Sequence, residues 1–374
     1  MIYFEEFQVP FIVLILSYGI ILFGLGIYSK KTDLINNLLL FGANLVVFLN
    51  MLLIMSVIFD SESLYEKGVT SFFIDVLLIP IILIGLTLLI SSLAVSLFKT
   101  IHGSKIDFES KIRHNIEAKE KKASTKDLER KISHVLIFLA FLGIWIIGFY
   151  SILNSEHPEQ ASEGMIPENN NMLEIYINLM ARREDVADII LSFGWFYYLI
   201  FFFMYIFALI MIVNEISRKN KYISFPFTLV PKLVLAEDEK QNFGTYLFFA
   251  VGQMWAAFSC PPMIYLSILG MSGLADLMTS QIGIRYGNHK IPWNSKKSWE
   301  GTIAGVLTAL ILCYLFIGLI WAIIFSITFL LIDISTRKPL NASDNLLIPI
   351  GCSIVFLLVR FFFHLSYVHP FINV

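Results

Sequence analysis

A carboxylate inside an apolar stretch is expensive to desolvate and is a functional candidate by default. Asp276 is the clearest one in this chain, set in the run MIYLSILGMSGLADLMTSQIG at 263–283, about two helical turns before its end. It reads either as a reacting-site acid or as a packing carboxylate bonded to a neighbouring helix. Directly after it comes GIRYGNHKIPWNSKKSWEGTIAG at 283–305, which concentrates Gly283, Gly287 and Gly301 with Arg285, Lys290, Lys296 and Lys297. Glycines let a backbone approach a ligand with its amides bare, and clustered cations neutralise a polyphosphate. Glu300 and Gly301 open the next apolar stretch, so the loop is tethered beside Asp276. This is the composition of a phosphate site; a basic loop retained on the cytoplasmic face of a membrane shares it.

The elements that must hold these residues are membrane helices. Of the 374 residues, 57% are hydrophobic and 15% charged, which excludes a water-soluble globule and implies a polytopic, all-α integral membrane protein. The formal net charge of -2 points to no nucleic-acid partner. Cys260, Cys313 and Cys352 lie in apolar runs without metal-like spacing, as small packing residues do. Polar breaks delimit ten candidate spans, at 9–28, 34–58, 71–98, 135–153, 187–213, 244–260, 263–282, 301–317, 318–333 and 346–366, with turns expected at Pro261–Pro262 and at Gly318. With the N-terminus outside, 23 of the 27 lysines and arginines fall on the inner face and only Lys67, Arg182 and Arg183 in outer loops. The first run follows Glu5 and Glu6 with no basic region before it, and reads as a retained span. The chain thus divides into a three-helix region at 1–98, a charged segment at 99–134 that suits an exposed or interface-lying helix, and a membrane region at 135–374 with the basic loop at 283–300. An acidic outer loop lies at 154–186.

From Asp276 to Gly301, the aspartate, the glycine pair Gly283 and Gly287, His289-Lys290 and the KKSWEG string resemble the nucleotide-binding signature shared by phosphatidate cytidylyltransferases and the CTP-using lipid kinases of dolichol, polyprenol and phytol. Three further strings favour the kinase branch. ERKISH at 129–134 is similar to its RKxxH element, NFGTYLFFAVG at 242–252 to its glycine-containing span before the nucleotide motif, and DNLLIP at 344–349 to its DNLxIP element, with Asp333 where the branch often carries glutamate. The HGG and DRxD strings of the cytidylyltransferases do not occur. The resemblance covers 127–349 and departs at Ala275, Thr279 and Asn288.

The resemblance implies a membrane enzyme that transfers the γ-phosphate of CTP to the hydroxyl of a membrane isoprenoid alcohol such as dolichol or polyprenol; the alternatives are a CDP-lipid synthase or a phytol or diacylglycerol kinase. It implies Asp276 and Asp344 as holders of Mg²⁺, with Asp333 or Glu300 completing the shell through water. Lys290, Lys296, Lys297 and Arg285 would clamp the CTP phosphates, the amides near Gly283, Gly287 and Gly301 would approach them, and Arg130 and Lys131 would meet a further phosphate. His134 would orient the lipid hydroxyl or accept its proton. Trp293 would either stack on the cytosine or anchor at the interface. The site would face the cytoplasm, in the cell membrane or the endoplasmic reticulum, with the lipid entering from the bilayer.

Overall fold

The computed structural model describes residues 123–154, 194–217, 243–336 and 343–366, together with residues 42, 43, 45, 90, 94, 97 and 101. Apart from those seven residues and Asn154, the first three candidate spans, the outer loop at 154–186 and most of the 99–134 segment lie outside the described residues. The chain is mostly helical. In order come α1 (Ala123–Leu153), α2 (Gly194–Ser217), α3 (Thr245–Ser259), α4 (Pro262–Gly270), a π-helical turn (Met271–Ala275), α5 (Asp276–Tyr286), strands β1 (Lys290–Ile291) and β2 (Asn294–Ser298), then α6 (Trp299–Ile317), α7 (Leu319–Ser335) and α8 (Asp344–Phe363). Among the described residues, four helical stretches are long and apolar enough to cross a membrane: Lys131–Gly148, Pro262–Tyr286, Trp299–Ile317 and Asp344–Phe363.

The chain folds as two compact units, Met1–Lys121 with Phe202–Val251, and Lys122–Phe201 with Gly252–Val374. In the first unit Glu215, near the end of α2, accepts hydrogen bonds from the Tyr246 hydroxyl at 2.6 Å and the Gly244 amide at 3.2 Å, which fixes the start of α3. The second unit carries every residue discussed as a candidate site.

Helix α1 starts at Ala123 and passes position 134 without a break, because 123–142 contains neither glycine nor proline. Arg130, Lys131 and His134 therefore stand within the helix and not ahead of it. Its buried residues Lys131, His134, Phe138, Phe141 and Trp145 recur every three or four positions, the spacing of one helical face. That face meets small residues: a methyl group on Gly270 would stand 3.1 Å from the Phe138 ring, and one on Gly273 would stand 3.4 Å from the His134 backbone. Phe141 and Tyr265 meet edge to face at 6.1 Å between ring centres. The π turn sits immediately before Asp276, where an extra residue in the turn shifts the angular position of everything that follows.

Close helix packing explains most of the glycines. A Cβ on Gly301 would press on the Thr279 carbonyl and stand 3.0 Å from the Gly283 Cα, and one on Gly305 would meet the Thr279 hydroxyl and stand 3.1 Å from the Ala275 carbonyl. Gly301 and Gly305 thus form a small-residue row that seats α6 on α5. The expected turn at Gly318 joins α6 to α7, with a φ of 81° that costs glycine little. In α8, Pro349 cannot donate to the Asn345 carbonyl four residues back. Gly252 of α3 packs there, where a Cβ would stand 2.8 Å from that oxygen.

Among the described residues, the departure from an all-helical chain is the hairpin β1–β2. It pairs Lys290 with Ser298 and Ile291 with Asn294, antiparallel. Pro292 and Trp293 make its turn, and the Ser298 side chain caps α6 by accepting from the Gly301 amide at 3.3 Å.

The row makes a stability prediction. Gly301→Ala, whose methyl would meet backbone atoms on α5, is expected to lose about 1–3 kcal/mol. Gly143→Ala, which meets nothing within 4 Å, is expected to be neutral or to gain up to about 1 kcal/mol. Thermal unfolding of the detergent-solubilised protein checks both, and a Gly301→Ala protein as stable as the parent would refute the packing role.

Candidate active site

Two lysines and three carboxylates converge in the second unit. The first pair joins α1 to α5: Lys131 Nζ lies 2.7 Å from Asp276 Oδ2 and donates a 3.0 Å hydrogen bond to the backbone oxygen of the same residue. Both residues are buried, at 6% and 2% exposure. The second lysine, Lys297 of β2, is forked between Asp333 Oδ1 of α7 at 2.6 Å and Asp344 Oδ2 of α8 at 3.2 Å. Asp333 Oδ2 accepts the hydroxyl hydrogen of Thr302 on α6, and Asp344 Oδ1 accepts from the Asn345 amide. Asp276 lies within electrostatic range of Asp344 and Lys297, so the two groups form one charged cluster.

The electrostatics follow from burial and sign. Burial alone would lower the pKa of the Lys297 ammonium, but the carboxylates of Asp344, Asp333 and Asp276 outweigh it and hold the group above its ordinary value. Lys297 therefore stays protonated across the physiological range. Among the described residues, three carboxylates and two ammoniums make up the cluster. Among the described residues Asp276 Oδ1 meets no donor despite its burial, and an acceptor so placed fits a cation. Among the described residues no three acidic, histidine or cysteine side chains are grouped as a ready-made metal site.

The hairpin is held against the end of α7. The Trp293 indole donates to the Ile334 carbonyl at 3.0 Å, and the Asn294 amide to the Thr336 carbonyl at 2.6 Å. Successive β2 residues point to opposite faces, which sends Lys297 to the carboxylates while Lys296 stays exposed. Arg285 in the last turn of α5 and Lys290 on β1 are exposed as well. At the hairpin base Glu300 accepts from the His289 amide at 3.0 Å and pairs with its Nδ1 at 2.6 Å.

The structure brings Lys131, Asp276, Lys297, Asp333 and Asp344 together. His134 is buried one helical turn beyond Lys131 on the same face; the side chain of Arg130 lies outside those described. The glycines expected to bare amides to phosphate are instead in mutual contact. Gly283 lies inside α5, and Gly287 packs on the Gly283 carbonyl and on Ser298, whose Cβ would be 2.8 Å from an added methyl. Lys297, expected as a phosphate clamp, is held between two carboxylates, and Asp333, expected near a metal, has both oxygens engaged. The Trp293 indole, 47% exposed, ties the hairpin to the end of α7.

Sequence reasoning alone misses Thr302, Asn294 and Thr336. Thr302 has a readable signal, since it directly follows Gly301 at the start of the glycine row. The chain matches no family model, no curated protein and no solved structure.

Because removing one partner strands a buried charge, Lys131→Met and Asp276→Leu are each expected to destabilise the protein by about 3–5 kcal/mol. Combining Lys131→Met with Asp276→Leu is expected to recover much of that loss, measured by denaturant unfolding in micelles. Simple additivity of the two single losses would show that the pair does not couple.

Proposed function

We propose that this protein is a CTP-dependent lipid kinase that phosphorylates a membrane isoprenoid alcohol of the dolichol or polyprenol class. The observation that carries the reading is the cluster of buried Asp276 and Lys131 with part-buried Lys297 and Asp344, because these residues come from three separate strings that each resemble the CTP-using lipid kinases. A second support is the surround of Arg285, Lys290 and Lys296, exposed cations on the same helix end and hairpin. The proposed topology has ten spans with the N-terminus outside, so that this cluster faces the cytoplasm, where nucleotide is available.

Phosphoryl transfer needs positioning and charge neutralisation more than covalent help. Asp276, through an Oδ1 that meets no donor among the described residues, and Asp344 would hold a hard divalent cation such as Mg²⁺, which would supply positive charge to offset that of the nucleotide phosphates. Arg285, Lys290 and Lys296 meet the phosphates from the exposed side, and Lys297 from between its carboxylates. Lys131 holds the Asp276 carboxylate and backbone in place. The alcohol oxygen bonds to the γ-phosphorus as the bond to the β–γ bridging oxygen breaks. CDP leaves with that electron pair, and His134 takes the alcohol proton.

Incubating the purified protein and Mg²⁺ with γ-labelled CTP and a panel of isoprenoid and glycerolipid alcohols is expected to move label into lipid monophosphate, with CDP released. Asp276→Asn and Asp344→Asn are each expected to lower the rate by about 100-fold or more. Release of pyrophosphate would mean a CDP-lipid synthase, and failure to consume CTP with every alcohol would end the kinase reading.

A further inference from the structure

Asp333 is completely buried, at 0% exposure, and so is its partner Thr302. One carboxylate oxygen takes the Lys297 ammonium at 2.6 Å and the other takes the Thr302 hydroxyl. The oxygens of Asp344 are engaged too, but its side chain is 26% exposed against 1% for Asp333, so a divalent cation at Asp333 would have to enter a closed site and stand beside an ammonium. Asp333 also sits near the end of α7, where terminal carbonyls lack helical partners and the helix dipole is negative. Those carbonyls are engaged: Ile334 accepts from Trp293, and Thr336 accepts from Asn294. The Thr336 hydroxyl donates to the Asp333 carbonyl at 2.9 Å. Strand β2 and the turn before it are therefore tied across the helix end at Trp293, Asn294 and Lys297, and the last tie sets where the ammonium points.

We propose that Asp333 and Thr302 are a positioning pair for Lys297, so that Asp333 acts by aiming that ammonium at Asp344 and the nucleotide phosphates and is not a metal ligand. The pairing stands on the hydrogen bonds alone; what Lys297 meets rests on the lipid-kinase reading. Thr302 fixes the carboxylate rotamer, Asp333 fixes the lysine, and the helix end supplies the field that favours a cation there. The raised affinity of Lys297 for its proton is the electrostatic counterpart of that geometry.

Two readouts test it on the full-length protein. The first needs no turnover: brief treatment with an amine-reactive reagent and peptide mass analysis, with exposed Lys290 and Lys296 as internal standards. Lys297 is expected to be protected in the parent, to label about tenfold faster in Thr302→Val and Asp333→Asn after loss of a charge-assisted bond, and to be protected again in Thr302→Ser. Equal labelling of Lys297 in the parent and both variants would overturn the proposal even if the protein proved not to be a kinase. The second uses the kinase assay. Asp333→Asn and Thr302→Val are expected to raise KM for CTP about tenfold and to leave the Mg²⁺ concentration for half-activation at saturating CTP unchanged, with Thr302→Ser restoring KM. A Mg²⁺ requirement raised by Asp333→Asn as far as by Asp344→Asn would make Asp333 a metal ligand and refute the proposal. Thr302→Ser guards against misfolding, since a general loss of structure would not be repaired by one hydroxyl.

Discussion

In an apolar helix bundle a bare charge costs more than almost any packing contact returns, so each buried ion must find its opposite. The Lys131–Asp276 pair is where this constraint bears hardest. Lys131 Nζ serves both the carboxylate and the backbone oxygen of Asp276, which locks α1 to the first residue of α5 in position and in rotation. Everything on the buried face of α1 follows from that register: His134, Phe138 and Phe141 then lie on the π turn, Gly270 and Tyr265, with Trp145 buried one turn further along. Lys297 imposes the same discipline from the hairpin, drawing Asp333 of α7 and Asp344 of α8 to one strand.

Such pairs form only if backbones come close, and the small residues of α5 and α6 permit that. Gly301 and Gly305 leave no room for a methyl group between themselves and Ala275, Thr279 and Gly283. This brings Thr302 and Ser298 to the end of α5, from where Thr302 reaches Asp333 and Ser298 packs on Gly287. The glycines thus act at one remove from the charges: they set the helix spacing, and the spacing lets side chains of ordinary length bridge α6 and α7. On the lipid-kinase reading, the glycine motif supports the nucleotide site by packing and not by offering bare amides.

Much of the helical frame is legible in the residues. A helix, α3 at Thr245–Ser259, falls where a span is expected at 244–260, and the break at Pro261 and the turn at Gly318 fall where those residues demand them. Asp276 stands out because an acid in an apolar run has few explanations. What stays hidden depends on distance along the chain. Lys131 and Asp276 are 145 residues apart, so no local pattern links them. The hairpin looks like a loop because its two strands are short and polar, and what steadies it is a pair of carbonyls at the end of α7, 41 and 42 positions on. The glycines mislead because the same lack of a side chain serves a phosphate or a neighbouring helix, and only the three-dimensional neighbours decide.

The division of labour among the cations then follows from the strand period. Because β2 alternates its faces, Lys296 and Lys297 cannot both point the same way; one is committed to Asp333 and Asp344, and the other is left in solvent. A ligand bearing several negative charges would meet Arg285, Lys290 and Lys296 first, and only deeper in would it encounter ammoniums already balanced by carboxylates. On the lipid-kinase reading, a nucleotide accompanied by Mg²⁺ would suit both layers, its phosphates held by the outer cations and its metal by Asp276 and Asp344. The inner ion pairs would then keep those two carboxylates in place before the ligand arrives.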